Sequence, residues 1–211
     1  MGSPPHSRRP IMPRYRKAER ERLLAEVRRR LLDAAIAEFA AQGYAQANIN
    51  HISRAAGFAQ GTIYNYFPSK RALFAAVVGD IAGRQRDLVL QAAAIAPGPA
   101  ARLERLFAAG FAFAQGFPAA AQLLPNALYG ADPEARALAE HAIEPLAAYI
   151  EREIVLAGQQ EKLFRPVEPK LATAAILAVY LSGCAAPREL IRLNPRAAAA
   201  LLLGGLKADG G

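Results

Sequence analysis

The sequence predicts an all-α protein, and three observations carry that reading. Alanine-rich stretches are long and runs of β-branched residues scarce, which favours helix because alanine surrenders no side-chain entropy on entering one. Apolar residues recur at helical spacing between glycine and proline breaks. A composition of 53% apolar and 21% charged residues over 211 positions belongs to a chain able to bury its own core, and the single cysteine, Cys184, excludes an internal disulfide framework or a multi-thiolate zinc site.

The elements follow in order. Residues 1–21, with Pro4, Pro5, Pro10 and Pro13 among arginines, read as a flexible basic arm. A first helix opens near Arg22, buries Val27, Leu31, Leu32, Ala35, Ile36 and Phe39, and stops at Gly43. Asn48 caps a short second helix holding Ile49, Ile52 and Ala56, which Gly57 ends. Residues 60–67 form a third short helix closed by Pro68, and Ser69 caps a fourth with core residues Leu73, Phe74, Val77, Val78 and Ile81. These elements make a head over residues 22–82, with a helix-turn-helix at 48–67; residues 83–211 make a helical body.

In the body, Pro97-Gly98-Pro99 precedes a helix carrying Leu103, Leu106, Phe107, Phe111 and Phe113, and Phe117-Pro118 breaks the chain before a short helix to about Tyr129. Asp132-Pro133 is a cap with proline at the first helical position; the helix runs to about Ala157, with a kink expected at Pro145 and a stop at Gly158. Helices over 169–183 and 194–204 complete the chain. The uncharged runs 106–131 and 171–187 read as buried helices rather than membrane spans, and the charges after Arg8-Arg9 leave no apolar region for an export signal.

The charge is unevenly placed. Residues 1–70 hold 12 Lys/Arg against 5 Asp/Glu, and residues 71–211 hold 14 against 13. A basic front half points to a polyanion, nucleic acid above all; the alternative is a solvated basic face with no partner. Two short helices around a glycine-containing turn form the unit whose second helix enters the major groove. Gln60, Thr62, Tyr64 and Asn65 supply polar and aromatic tips for such a helix while Ile63 and Phe67 face inward. Gly61 lets backbone approach phosphate closely, and Lys70 stands at the next helix start. Tyr64 and Tyr66 would be core aromatics in an arbitrary helix, but this one is too small to bury both beside Ile63 and Phe67.

The run Gly43-Tyr44, Ile49, Ile52, Ala55-Ala56-Gly57, Gly61-Thr62-Ile63-Tyr64, Tyr66-Phe67-Pro68-Ser69-Lys70 and Ala72-Leu73 resembles the N-terminal domain of the TetR/AcrR transcriptional regulators over roughly residues 25–82. The resemblance implies a homodimeric repressor whose C-terminal helices bind a small effector that changes the separation of two reading heads. It implies phosphate anchoring by Tyr66 and Lys70, and groove exposure of Gln60, Thr62, Tyr64 and Asn65. The family's capping serine or threonine falls on Asn48, which can still accept a backbone N–H, and its usual acidic residue on His51. Its cap of the recognition helix falls on Ala59, so that cap is missing.

Partners expected on this reading are double-stranded DNA with a palindromic operator, a second copy bound through the last two helices (169–183 and 194–206), and an apolar or aromatic effector. Phe107, Phe111, Phe117, Tyr129, Tyr149 and Tyr180, with His141 and Glu144 near Pro145, either line an effector cavity or fill the core. Only His6, His51 and His141 are present and no catalytic motif occurs, so neither an enzyme, a metal site nor a cofactor is expected, and the chain is expected in the cytoplasm at the nucleoid. The competing reading, opened by Ala59, is a helical small-molecule sensor with a degenerate head.

Overall fold

The computed structural model describes residues 14–185 and 194–206, and every regular element in them is helical. The order is α1 (Arg14–Gln46), α2 (Ile49–Ala55), a 3-10 turn (Thr62–Asn65), α3 (Lys70–Ala93), α4 (Pro99–Gly116), α5 (Pro118–Tyr129) and α6 (Pro133–Ile150). A π-helical stretch (Glu151–Leu156) continues α6 into α7 (Ala157–Gln160), followed by α8 (Pro169–Ala185) and α9 (Pro195–Leu206).

Several caps fall where expected. Asn48 Oδ1 accepts from the N–H groups of Asn50 and His51, Ser69 Oγ from Ala72, and Asp132 Oδ1 from Glu134 and Ala135. The start of the chain differs: α1 is already helical at Arg14, so the arm expected through residue 21 is helix over its last eight positions, while residues 1–13 lie outside the described residues. Arginine, lysine and glutamate on alternating sides of a helix are good helix formers, and proline ends only at Pro13.

Gly43 breaks α1 with the left-handed φ expected of its stop. It bends the chain at φ 71° and ψ 171°, after which one more helical turn reaches Gln46. That backbone region belongs almost to glycine alone, and nothing crowds the site of a Cβ there. Gly43→Ala is therefore expected to lose about 1–3 kcal/mol through backbone strain without any steric clash, read by urea denaturation.

The expected boundary at residue 82 falls inside α3, which runs unbroken from head to body. Its first turns pack Leu73, Phe74, Val77 and Val78 under α1, and the remainder lies against α4 and α6. One apolar core therefore extends from Leu31 to Leu206.

In the body, Pro145 sits within the continuous α6, and the departure from α-helical pairing comes a turn later, as the π stretch. Gly158 is not the stop expected; the chain turns at Lys162, with φ 57°, and Gly158 instead gives room to the ring of Phe164. Two other glycines let α4 and α8 close up: Gly110 faces the Tyr180 ring and Gly183 the Phe111 ring. Cys184 is buried there, its Sγ donating to Gly110 O at 3.6 Å, and burial pushes its thiol up to about 12. Such a thiol stays protonated and unreactive at neutral pH. Among the described residues no single helix is long and apolar enough to cross a membrane; α4 and α5 pass that test only as a pair bent by 114°.

Candidate nucleic-acid interface

The recognition segment is shorter than expected. In place of a helix over 60–67, one 3-10 turn spans Thr62–Asn65, with Thr62 N–H donating to Ala59 O and Tyr64 N–H to Gly61 O. No side chain caps it, as the alanine at position 59 foreshadows, and Pro68 blocks extension at the other end. Ile63 is fully buried and Phe67 nearly so, and between these two anchors Gln60, Gly61, Tyr64 and Asn65 are exposed while Thr62 and Tyr66 are half-buried.

The turn ahead of it is fixed by two features. Gly57 takes φ 81° and leaves room for the Arg30 guanidinium, which lies 4.8 Å over the Phe58 ring. Ser53, wholly buried on α2, donates from Oγ to Ala59 O at 2.7 Å and so ties α2 to the recognition turn. Ser53 was not foreseen, because a serine inside a predicted amphipathic helix carries no signal of its partner.

Glu38 of α1 holds the other end of α2. Its Oε1 accepts the Asn48 N–H at 3.0 Å, and its Oε2 lies 2.6 Å from His51 Nδ1. The Asn48 N–H above all, then the His51 ring, hold this carboxyl below its usual range. A depressed carboxyl pKa contributes stability that is present above the ordinary value of 4.5 and lost as pH falls through the folded value. Glu38→Gln is therefore expected to cost about 1 kcal/mol at neutral pH, with the gap to the parent protein closing below pH 4.5. Urea titrations at pH 7 and pH 3 check this.

Lys70, expected at a phosphate, donates from Nζ to Ala45 O at 2.6 Å and lies 5.3 Å from the centre of the Tyr44 ring, closing the bend after Gly43. Beside it the head is fastened to the body: Tyr44 OH donates to Glu134 Oε2 and Arg71 NH1 to Glu134 Oε1, both at 2.6 Å. Burial, followed by this hydrogen bond, pushes the Tyr44 hydroxyl up to about 12, and the Tyr44 and Arg71 donors hold Glu134 below its usual range. A cleft of about 230 Å³ opens next to this link, with Phe39, Tyr44 and Phe74 on the head side and Leu123, Asn126 and Asp132 on the body side.

The aromatic candidates of the body do not converge. Phe107 and Tyr180 are fully buried, with ring centroids 6.5 Å apart, and the Phe111 ring lies 5.7 Å from that of Phe107, tilted by 56°. These three are core. Phe117 is 52% and Tyr129 65% exposed, Tyr149 is half-buried, and His141 is exposed with Nδ1 3.7 Å from Glu144 Oε2. His141 lines a cleft of about 250 Å³ with Pro145, Arg86, Gly79 and Gly83 between α3 and α6.

Residues 31–77 match the description of the bacterial regulatory proteins, tetR family. That match lies within the head alone. The chain is similar to the uncharacterized HTH-type transcriptional regulator YdgC of Bacillus subtilis (strain 168), at 44% identity over 63 residues, 30% of this chain and 32% of that protein. It is similar to the HTH-type transcriptional regulator SrpR of Pseudomonas putida at 40% over 65 residues, 31% of this chain and 29% of that one. The chain thus spans about a third of the length of these curated relatives.

Likeness of fold extends further than likeness of sequence. The fatty acid degradation regulator FadR of Bacillus halodurans superposes with a TM-score of 0.76 at 23% identity, covering 85% of this chain and 96% of that one. FadR of Bacillus subtilis in complex with stearoyl-CoA gives 0.75 at 19%, covering 84% and 98%, and AibR in complex with isovaleryl coenzyme A and operator DNA gives 0.69 at 19%, covering 86% and 98%. At such identities these neighbours speak for the fold alone.

Proposed function

We propose that the chain is a ligand-responsive transcriptional repressor. A homodimer joined through α8 and α9 sets two recognition turns into successive major grooves of a palindromic operator and releases it when a small effector occupies the body. The observation that carries this reading is the recognition turn, where two buried anchors, Ile63 and Phe67, leave Gln60, Tyr64 and Asn65 facing solvent on a rigid support. On it, Gln60, Thr62, Tyr64 and Asn65 meet base edges, and Asn48, Gly61, Tyr66 and Lys70 the phosphates.

Leu171 on α8 and Leu201 on α9 are 68% and 76% exposed, which supports a mate on that side. The coenzyme A thioesters bound by two of the fold neighbours support an apolar effector, here an acyl or aromatic group, acting at the cleft between α3 and α6. No cofactor and no enzymatic step enter this reading. The degenerate-head alternative gains no support, since the Ser53 hydroxyl secures the turn despite the missing cap.

Selection from random duplexes with the purified protein at near-physiological salt tests it. Enrichment of a palindrome is expected, and that operator then serves to screen effectors by release. Retention of DNA with no enriched sequence overturns the repressor reading in favour of the sensor.

A further inference from the structure

The positive charge of the front half lies almost wholly outside the helix-turn-helix. Residues 1–30 hold ten Lys/Arg and three Asp/Glu, a balance of +7. Residues 31–70, which contain both helices of the motif, hold Arg54 and Lys70 against Asp33 and Glu38 and are neutral. Lys70, with one of its three ammonium donors on Ala45 O, is the one cation of this segment assigned above to a phosphate. A neutral reading head cannot by itself supply the counterion release on which binding to a duplex rests.

Eight of those ten cations, from Arg14 to Arg30, stand on the first turns of α1. The end of α1 at Tyr44 is tied to Glu134 of the body, its middle is buried in the head through Leu31, Ala35 and Phe39, and residues 17–26 are all exposed. Val27 still packs on the core, and at 1.5 Å per residue, residues 14–26 extend about 20 Å beyond it, a length matching about six base pairs. The root of this overhang rests on both flanks of the recognition turn: Arg30 lies over Phe58 at 4.8 Å and Arg28 over Phe67 at 5.4 Å.

The faces agree with this placement. Steps of three and four residues carry the line that buries Phe39, Ala35 and Leu31 outward through Arg28, Leu24, Arg20 and Lys17. Glu19 and Glu26 fall on the opposite face, Glu21 at the edge of the line, and Arg22 away from it. Lys17 and Arg20 are exposed, with no hydrogen bond or ion pair among the described residues.

We propose that residues 14–30 form a second DNA-contacting element, a helical strut whose Lys17 and Arg20 follow the sugar-phosphate backbone beyond the groove read by Tyr64. Its partner is phosphate, so it adds affinity without sequence preference. The proposal rests on the operator-binding reading above, and its test separates the two.

The double variant Lys17→Gln/Arg20→Gln keeps good helix formers at exposed positions, so circular dichroism should match the parent. Affinity is then measured across a salt series for the selected operator and for an unrelated duplex. Four cations are removed per dimer at about 0.9 per phosphate, so the slope of log affinity against log salt should fall by about 2 to 4. Both duplexes should weaken by a similar factor, on the order of tenfold or more at low salt. Arg22→Gln, off the line, should move the slope by less than about 1.

An unchanged slope in the folded double variant overturns the strut. So does a loss confined to the operator, which would make these residues base readers, or an equal effect of Arg22→Gln, which would dissolve the assigned face. If the parent protein enriches no sequence yet its slope still falls in the double variant, the operator reading fails and the strut stands.

Discussion

Replacing Tyr64 with alanine abolishes operator binding and leaves the protein folded. The ring is 49% exposed on a turn of four residues, and the core beneath that turn is filled by Ile63 and Phe67 instead. Truncation therefore opens no cavity, and the thermal midpoint should stay within a few degrees of the parent. Binding behaves otherwise. A good base-edge contact is worth about 1–3 kcal/mol, and a two-fold dimer presents the side chain twice, so the operator should weaken by about 30-fold or more, while affinity for unrelated duplexes changes little. Fluorescence anisotropy with both duplexes, set against circular dichroism, reads the two effects apart. Loss of folding together with binding would show Tyr64 to be part of the core.

Phe107→Ala produces the opposite pattern, a large loss of stability with the reading turn untouched. Phe107 is fully buried between Phe111 and Tyr180, on the helix face where Gly110 and Gly183 already bring α4 and α8 into close contact. A site this tightly closed relaxes little around a vacancy, so a loss of about 3–5 kcal/mol is expected, seen as a lower urea midpoint at unchanged slope. A loss below about 1 kcal/mol with a changed effector response would instead make Phe107 a lining residue of an effector cavity.

Helix punctuation was readable because each signal acts within a few residues. Asn48, Ser69 and Asp132 cap where their side chains can reach the next N–H groups, and Pro118 and Pro133 open helices where their ring fixes φ. The buried stripe of α1 and the core of α3 followed from spacing alone. What escaped depends on partners distant in sequence. Nothing near Ser53 announces that it holds Ala59, nor does Glu134 signal that Tyr44 and Arg71 converge on it from 90 and 63 residues away. The aromatics of the body show the same limit, since apolar rings of one composition ended in the core at Phe107 and in solvent at Tyr129. Proline and glycine misled where packing overrode them: Gly158 serves Phe164 rather than a helix stop.

The unbroken course of α3 bears on how any signal could travel. A rod of 24 residues measures about 36 Å, and rigid rods turn angle into distance. A tilt of about 5° imposed at the body end, where α3 meets α4 and α6, swings the head end through about 3 Å, close to the rise of one base pair. Two heads swinging in opposite senses would double the misfit along the duplex. In the dimer proposed above, rearrangements too small to disturb the core would thus be enough to put the pair of reading turns out of step with the grooves.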